Sequence, residues 1–195
     1  TAAFTNTISL SAGSTSGTGT STNVNVHEVT AIGGMYSNSI TVQKTDGSGT
    51  NLAGAKFKLL NKNGNPVKRM DGGTLKEIIV QTGSDGKAVF TNLPNWVFYV
   101  KEIDSPAGYL IYNTANISVN GGTAISGNVT VDVTNTLGLT TVEINKTGAG
   151  GVNLDGGVFT LAGTAAYTGA AITPRTAAAI SGKVTFTNVP IGSYT

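Results

Sequence analysis

Gly86-Lys87-Ala88-Val89-Phe90-Thr91-Asn92-Leu93-Pro94 returns near the end of the chain as Gly182-Lys183-Val184-Thr185-Phe186-Thr187-Asn188-Val189-Pro190. Each copy opens on a turn glycine, alternates apolar and polar residues with period two, and closes on proline. That is the pattern of a half-buried strand leaving a hairpin. Upstream of each copy the likeness continues. Val42-Gln43-Lys44-Thr45 matches Ile144-Asn145-Lys146-Thr147, and Asn51-Leu52-Ala53-Gly54-Ala55 matches Asn153-Leu154-Asp155-Gly156-Gly157. One unit is therefore present twice.

The residues between these landmarks alternate in the same way: Ser39–Lys44, Ala55–Leu59, Trp96–Val100, Asn116–Val119 and Val129–Val133. Leu75–Val80 has the length of a helical turn but ends in β-branched residues, which favours a strand. Turn formers (Asp46-Gly47, Asn63-Gly64, Asp71-Gly72-Gly73, Asp85-Gly86) punctuate the strands. Short strands with frequent turns predict an all-β chain of tandem sandwiches. The first copy covers residues 39–136. The second, residues 137–195, ends in mid-strand at Tyr194-Thr195 and has no counterpart of Lys101–Asn135. Residues 1–30 resemble that missing part. Thr7–Gly13 is like Asn116–Gly122, and Asn23-Val24-Asn25-Val26 is like Asn128-Val129-Thr130-Val131. The expectation is that residues 1–30 are closing strands for a neighbouring subunit or repeat, with residues 31–38 as a linker. A flexible tail is the alternative.

Composition narrows the function. The chain has 195 residues, no cysteine, 11% charged residues and a net charge of +2. Globular chains carry roughly 25% charge. So small a net charge offers no field for nucleic acid, and no stretch reaches the roughly 18 apolar residues of a membrane helix. With no cysteine and one histidine, His27, no metal or other cofactor is expected. Gly83–Ala88 lacks the spacing of a phosphate loop and reads as a hairpin turn. Asn61–Asn65 lacks the carboxylates of a calcium loop. The run Lys56, Lys58, Lys62, Lys68 and Arg69 reads as a solvated face.

Ile40-Thr41-Val42-Gln43-Lys44-Thr45-Asp46, Leu52-Ala53-Gly54-Ala55-Lys56-Phe57 and Gly86–Phe90 form a recognisable series. Tyr99-Val100-Lys101-Glu102-Ile103-Asp104-Ser105-Pro106-Ala107-Gly108-Tyr109 and Val131-Asp132-Val133-Thr134-Asn135-Thr136 complete it. Together they resemble a collagen-adhesin B-type repeat (CnaB or SpaA-like), the stalk module of Gram-positive surface adhesins and pilins. The resemblance covers the whole first copy and, more weakly, residues 139–195. It implies Ig-like or prealbumin-like sandwiches and an extracellular, cell-surface or filament location. It also implies a structural role, with further copies of the chain or the next repeat of a longer chain as partners. A monomeric ligand-binding adhesin, with Asn61–Gly73 as recognition loop, is the alternative.

The resemblance further implies an autocatalytic isopeptide bond from Lys44 to Asn135, assisted by Glu102. Burial would keep the lysine neutral and nucleophilic and the acid protonated. Taken without the resemblance, the three residues leave open a solvated lysine and a surface ion pair. In the second copy Lys146 holds the lysine position. The acid position falls on Ala2, the partner strand offers only Asn23 or Asn25, and the nearby carboxylate is Glu28. Such a chain is a structural protein, not an enzyme acting on other molecules.

Overall fold

The computed structural model describes residues 31–33, 35–111 and 115–195. The segment expected to close a sandwich, residues 1–30, with Ala2, Asn23, Asn25, His27 and Glu28 in it, lies outside the described residues.

In chain order the first domain carries β1 (Ala31–Ile32), β2 (Asn38–Asp46), β3 (Lys56–Asn61), β4 (Lys68–Asp71) and β5 (Thr74–Glu77). Its remaining strands are β6 (Ile79–Gln81), β7 (Lys87–Leu93), β8 (Phe98–Asp104), β9 (Ile117–Ser118) and β10 (Asn128–Asn135). The second carries β11 (Leu139–Asn145), β12 (Val158–Leu161), β13 (Gly163–Ala165), β14 (Arg175–Ala178), β15 (Lys183–Pro190) and β16 (Gly192–Tyr194). Leu75–Val80 is extended, divided between β5 and β6 with Ile78 between them.

The first domain is a sandwich of the sheets β10-β2-β7 and β6-β3-β8-β9. Alternation along each strand sends one set of side chains into a common core: Ile40, Val42, Ala88, Phe90 and Val133 from the first sheet, Phe57, Leu59, Phe98 and Val100 from the second. The lysines flanking Phe57 point the other way. Lys56 pairs with Asp104 at 2.9 Å and Lys58 with Glu77 at 2.5 Å. The first and last strands, β2 and β10, lie side by side and parallel, from Asn128 opposite Ser39 to Asn135 opposite Asp46. The chain therefore enters this domain at one pole and leaves at the other. At the entry pole β1 pairs in parallel with β4, and Ile32 is buried in the core. Part of the stretch read as a linker is docked on the first domain.

The internal repeat survives in three dimensions. β2 opposes β7 with Ile40 across from Phe90 and Val42 across from Ala88; β11 opposes β15 with Val142 across from Phe186 and Ile144 across from Val184. Both ladders slip at the same place, where Asn92 (φ 57°) and Asn188 (φ 52°) take the left-handed conformation that asparagine tolerates. Gly86 and Gly182 both have φ 72°. A Cβ at either would come within 2.6 Å of the Lys44 carbonyl oxygen or 2.8 Å of that of Lys146. Glycine is needed there because the backbone of the repeated lysine passes so close. Gly86 N–H donates to Gly83 O at 2.9 Å, closing the hairpin turn.

The two domains are joined by backbone contacts. Gly138 N–H donates to Gly108 O at 2.8 Å, Ile191 N–H donates to Gly138 O at 3.0 Å, and Tyr109 meets Tyr167 edge-on with ring centres 6.3 Å apart. Gly108 has φ +80°, and a Cβ there would stand 2.7 Å from Tyr167 N. G108A is thus expected to weaken the joint by about 1–2 kcal/mol. Hydrogen exchange at the Gly138 and Ile191 amides, about tenfold faster than in the parent, is the measurement.

Candidate functional site

Three polar side chains lie inside the first sandwich where alternation calls for apolar ones. Lys44 follows Ile40 and Val42 on β2, Glu102 follows Phe98 and Val100 on β8, and Asn135 follows Val133 on β10. Their exposures are 0%, 1% and 0%. Groups of this kind are almost never fully buried unless partnered.

The topology brings them together. Lys44 is directly opposite Val133 in the parallel ladder, so Asn135 is the next inward-facing residue on the neighbouring strand. Such a diagonal neighbour is about 7–8 Å away between backbones, within reach of a lysine stem. Glu102 comes from the facing sheet, opposite Phe57 in the β3–β8 ladder. Asn135 Nδ2 donates to Glu102 Oε1 at 2.8 Å. Lys44 Nζ donates to Val133 O at 3.0 Å and Thr45 O at 3.3 Å. Asn135 Oδ1 is buried without a hydrogen-bond partner, an uncommon state that calls for a reason.

Burial lowers the Lys44 amine from its usual 10.5 to about 8, against the opposing pull of Glu102 and Asp46. A lysine at that value holds an appreciable neutral, nucleophilic fraction near neutrality. The site thus sets a partly deprotonated amine on the strand beside a carboxamide. The nitrogen of that carboxamide donates to a carboxyl group on the facing sheet.

Lys146 takes the equivalent backbone cradle in the second domain. Lys44 N–H donates to Gly86 O at 2.7 Å, and Lys146 N–H donates to Gly182 O at 2.6 Å. Its stem turns inward across Gly157, where a Cβ would be 2.7 Å from Lys146 Cδ, beside Phe159. No described residue supplies it with an acid or an amide.

Several buried polar groups escaped sequence reasoning. Asn38 donates to Leu93 O at 2.9 Å and accepts from Gly127 N–H at 2.7 Å, fastening the entry pole. Thr82 Oγ1 donates to Leu52 O at 2.8 Å and accepts from Ala55 N–H at 3.0 Å. Asn61 Oδ1 accepts from the N–H groups of Asn63 and Asn65 at 3.0 and 2.9 Å, so the Asn61–Asn65 stretch is a turn. At the junction Asp46, Asn51, Pro106, Tyr109 and Tyr167 line a cleft of ≈ 520 Å³. It is built from both domains and was not foreseen, because neither copy alone contains it.

Similarity to known proteins follows the fold. The chain aligns with the Bacillus anthracis TIE protein at 23% identity and a TM-score of 0.60, over 80% of this chain and 26% of that one. It aligns with a streptococcal ancillary pilin at 19% identity and a TM-score of 0.49, over 80% of this chain and 51% of that one. With the group B streptococcus pilus 2b backbone protein the figures are 26%, 0.42, 51% and 41%. The chain thus spans about a quarter of the first protein and half of the second. No curated protein sequence matches it. The model of the SpaA prealbumin-like fold domain matches residues 38–136, β2 through the residue after β10. Over that stretch, half of its length, the chain belongs to the SpaA-type prealbumin-like domain family.

Proposed function

We propose that this chain is a structural subunit of an extracellular filament, pilus or surface stalk. Its first sandwich is closed by an amide bond between Lys44 and Asn135. The observation that carries this reading is the buried trio, with Asn135 Nδ2 at 2.8 Å from Glu102 Oε1. Neutral Lys44 Nζ attacks Asn135 Cγ. The Nζ–Cγ bond forms, the Cγ–Nδ2 bond breaks, and Nδ2 leaves as ammonia with a proton that originates on Nζ. Glu102, which touches Nδ2, relays that proton to the departing nitrogen. The product is a neutral amide, which suits an apolar core far better than a buried ammonium. The reaction turns over once, so its value is mechanical. β2 and β10 are the strands by which the chain enters and leaves, and a bond between them lets tension bypass the sandwich. Intact-mass spectrometry tests it. The parent is expected to weigh one ammonia less than its sequence, and K44A and N135A each to weigh their calculated mass. A parent at its full calculated mass would refute the bond.

The second element of the proposal is head-to-tail strand complementation. Residues 1–30 complete the second sandwich of a neighbouring subunit or repeat, which joins modules into a filament. Two features support it: the likeness of residues 7–13 and 23–26 to strands of the first domain, and an edge of β11 that has no partner among the described strands.

A further inference from the structure

The two copies can be compared position by position, and the second is uncovered along one side. β2 has β7 on one edge and β10 on the other, whereas β11 has only β15 among the described strands. Ile40, Val42 and Phe57 are all 0% exposed. Their counterparts Val142, Ile144 and Phe159 are only partly buried, although Phe186 and Val189, on the β15 side, are as enclosed as Phe90 and Leu93. Along this edge of β11 the element missing among the described strands is the equivalent of β10.

Asn23-Val24-Asn25-Val26-His27-Glu28-Val29-Thr30 aligns without gaps on β10, Asn128-Val129-Thr130-Val131-Asp132-Val133-Thr134-Asn135. Carrying the β10–β2 register across sets Val24 opposite Val142, Val26 opposite Ile144, and Glu28 opposite Lys146. Val133, the counterpart of Glu28, faces the core beside Lys44. Glu28 would face inward beside Lys146 in the same way. Thr30 stands where Asn135 does, so the second lysine meets no carboxamide at that position; it meets a carboxylate instead. We infer that the open edge of β11 receives residues 23–30 of a second copy of this chain, in parallel, with the Glu28 carboxylate on the Lys146 ammonium. The inference rests on the complementation reading above and adds its register, its polarity and its selecting charge pair.

The chain's own residues 23–30 cannot take this place. Ala31 and Ile32 are paired to Lys68 and Arg69 of β4. Arg69 Nη2 donates to Thr91 O at 2.6 Å, beside the Asn38–Leu93 end of the β2–β7 ladder. Glu28, three residues before Ala31, reaches at most about 11 Å from that pole. The length of β2, roughly 26 Å at 3.3 Å per residue, separates the pole from the junction. Lys146 lies past the far end of β11 again. A covering strand without an acid would bury the Lys146 ammonium unpaired, at considerable cost. Charge thus selects which strand, in which register, the edge accepts.

Light scattering across a concentration series tests this with the full chain, E28K, K146E, their equimolar mixture and the double variant E28K/K146E. The parent is expected to associate. Each single variant, with like charges apposed, should associate at least about tenfold more weakly. The mixture and the double variant, in which opposite charges meet again, should recover. If the parent associates and both single variants do so equally, the register is wrong and complementation stands. If the single variants fail and neither mixing nor doubling restores association, the charge pair is wrong. A parent that stays monomeric throughout overturns complementation, and this inference with it.

Discussion

An N135A chain is expected to unfold at a temperature roughly 20–35 °C below the parent. The reasoning is entropic. A covalent link from residue 44 to residue 135 closes almost the whole first domain into one loop, and the chain-entropy relation for a loop of that length gives about 4–5 kcal/mol. For a domain of about 100 residues, each kcal/mol moves the midpoint by about 4–8 °C. K44A should fall by a comparable amount, because it removes the same link. A trio held by hydrogen bonds alone would give a different result. Loss of one buried hydrogen bond costs about 1–3 kcal/mol, well short of what the cross-link contributes, and Lys44 would keep its bonds to Val133 O and Thr45 O in N135A. Calorimetry of parent, N135A and K44A reads this directly. A drop below about 10 °C in both variants, with unchanged parent mass, contradicts the cross-link. Reductant should have no effect on any of the three, because the chain holds no cysteine.

The trio was legible through the phase of its strands. Ile40, Val42 and Lys44 are spaced by two, as are Phe98, Val100 and Glu102, and Val131, Val133 and Asn135. In each case the polar residue occupies the next inward position, whereas Lys56 and Lys58 are out of phase with Phe57 and Leu59 and lie on the surface. Period two specifies a face, so it foretells burial even where the residue type argues against it. Pairing across the sheet is a different matter. That β10 lies parallel to β2, placing Asn135 one diagonal from Lys44, is a long-range fact that no local pattern carries; only the family resemblance suggested it. Asn38 and Thr82 illustrate the same limit. Each is buried because a backbone group distant in sequence (Gly127 for one, Leu52 and Ala55 for the other) needs a partner. The docking of Ala31–Ile32 on β4 and the Tyr109–Tyr167 joint are likewise contacts between segments whose own sequences give no sign of one another.

The rate of bond formation is expected to climb about fiftyfold between pH 6 and pH 8, then change less than about twofold from pH 8.5 to pH 10. Only neutral Lys44 can attack, and burial has lowered its pKa to about 8, with Glu102 and Asp46 pulling the other way. The neutral fraction is about 1% at pH 6, about half at pH 8, and nearly complete above pH 9. A solvated lysine would instead keep gaining about tenfold per pH unit as far as pH 10. The measurement uses chains recovered unfolded and unlinked in denaturant, diluted into buffers of graded pH and sampled by intact mass. The same shift governs stability before the bond closes. Between about 8 and 10.5 the unfolded chain holds a proton on Lys44 that the folded chain has released, so the unlinked fold gains stability as pH rises through that window. N135A, which stays unlinked, should show this gain and the parent should not. D46N removes one of the two charges that support the ammonium, so its rate profile should level off at a lower pH than the parent's. A profile still rising steeply at pH 10 would mean that Lys44 is hydrated when it reacts, and would remove the buried amine from the mechanism.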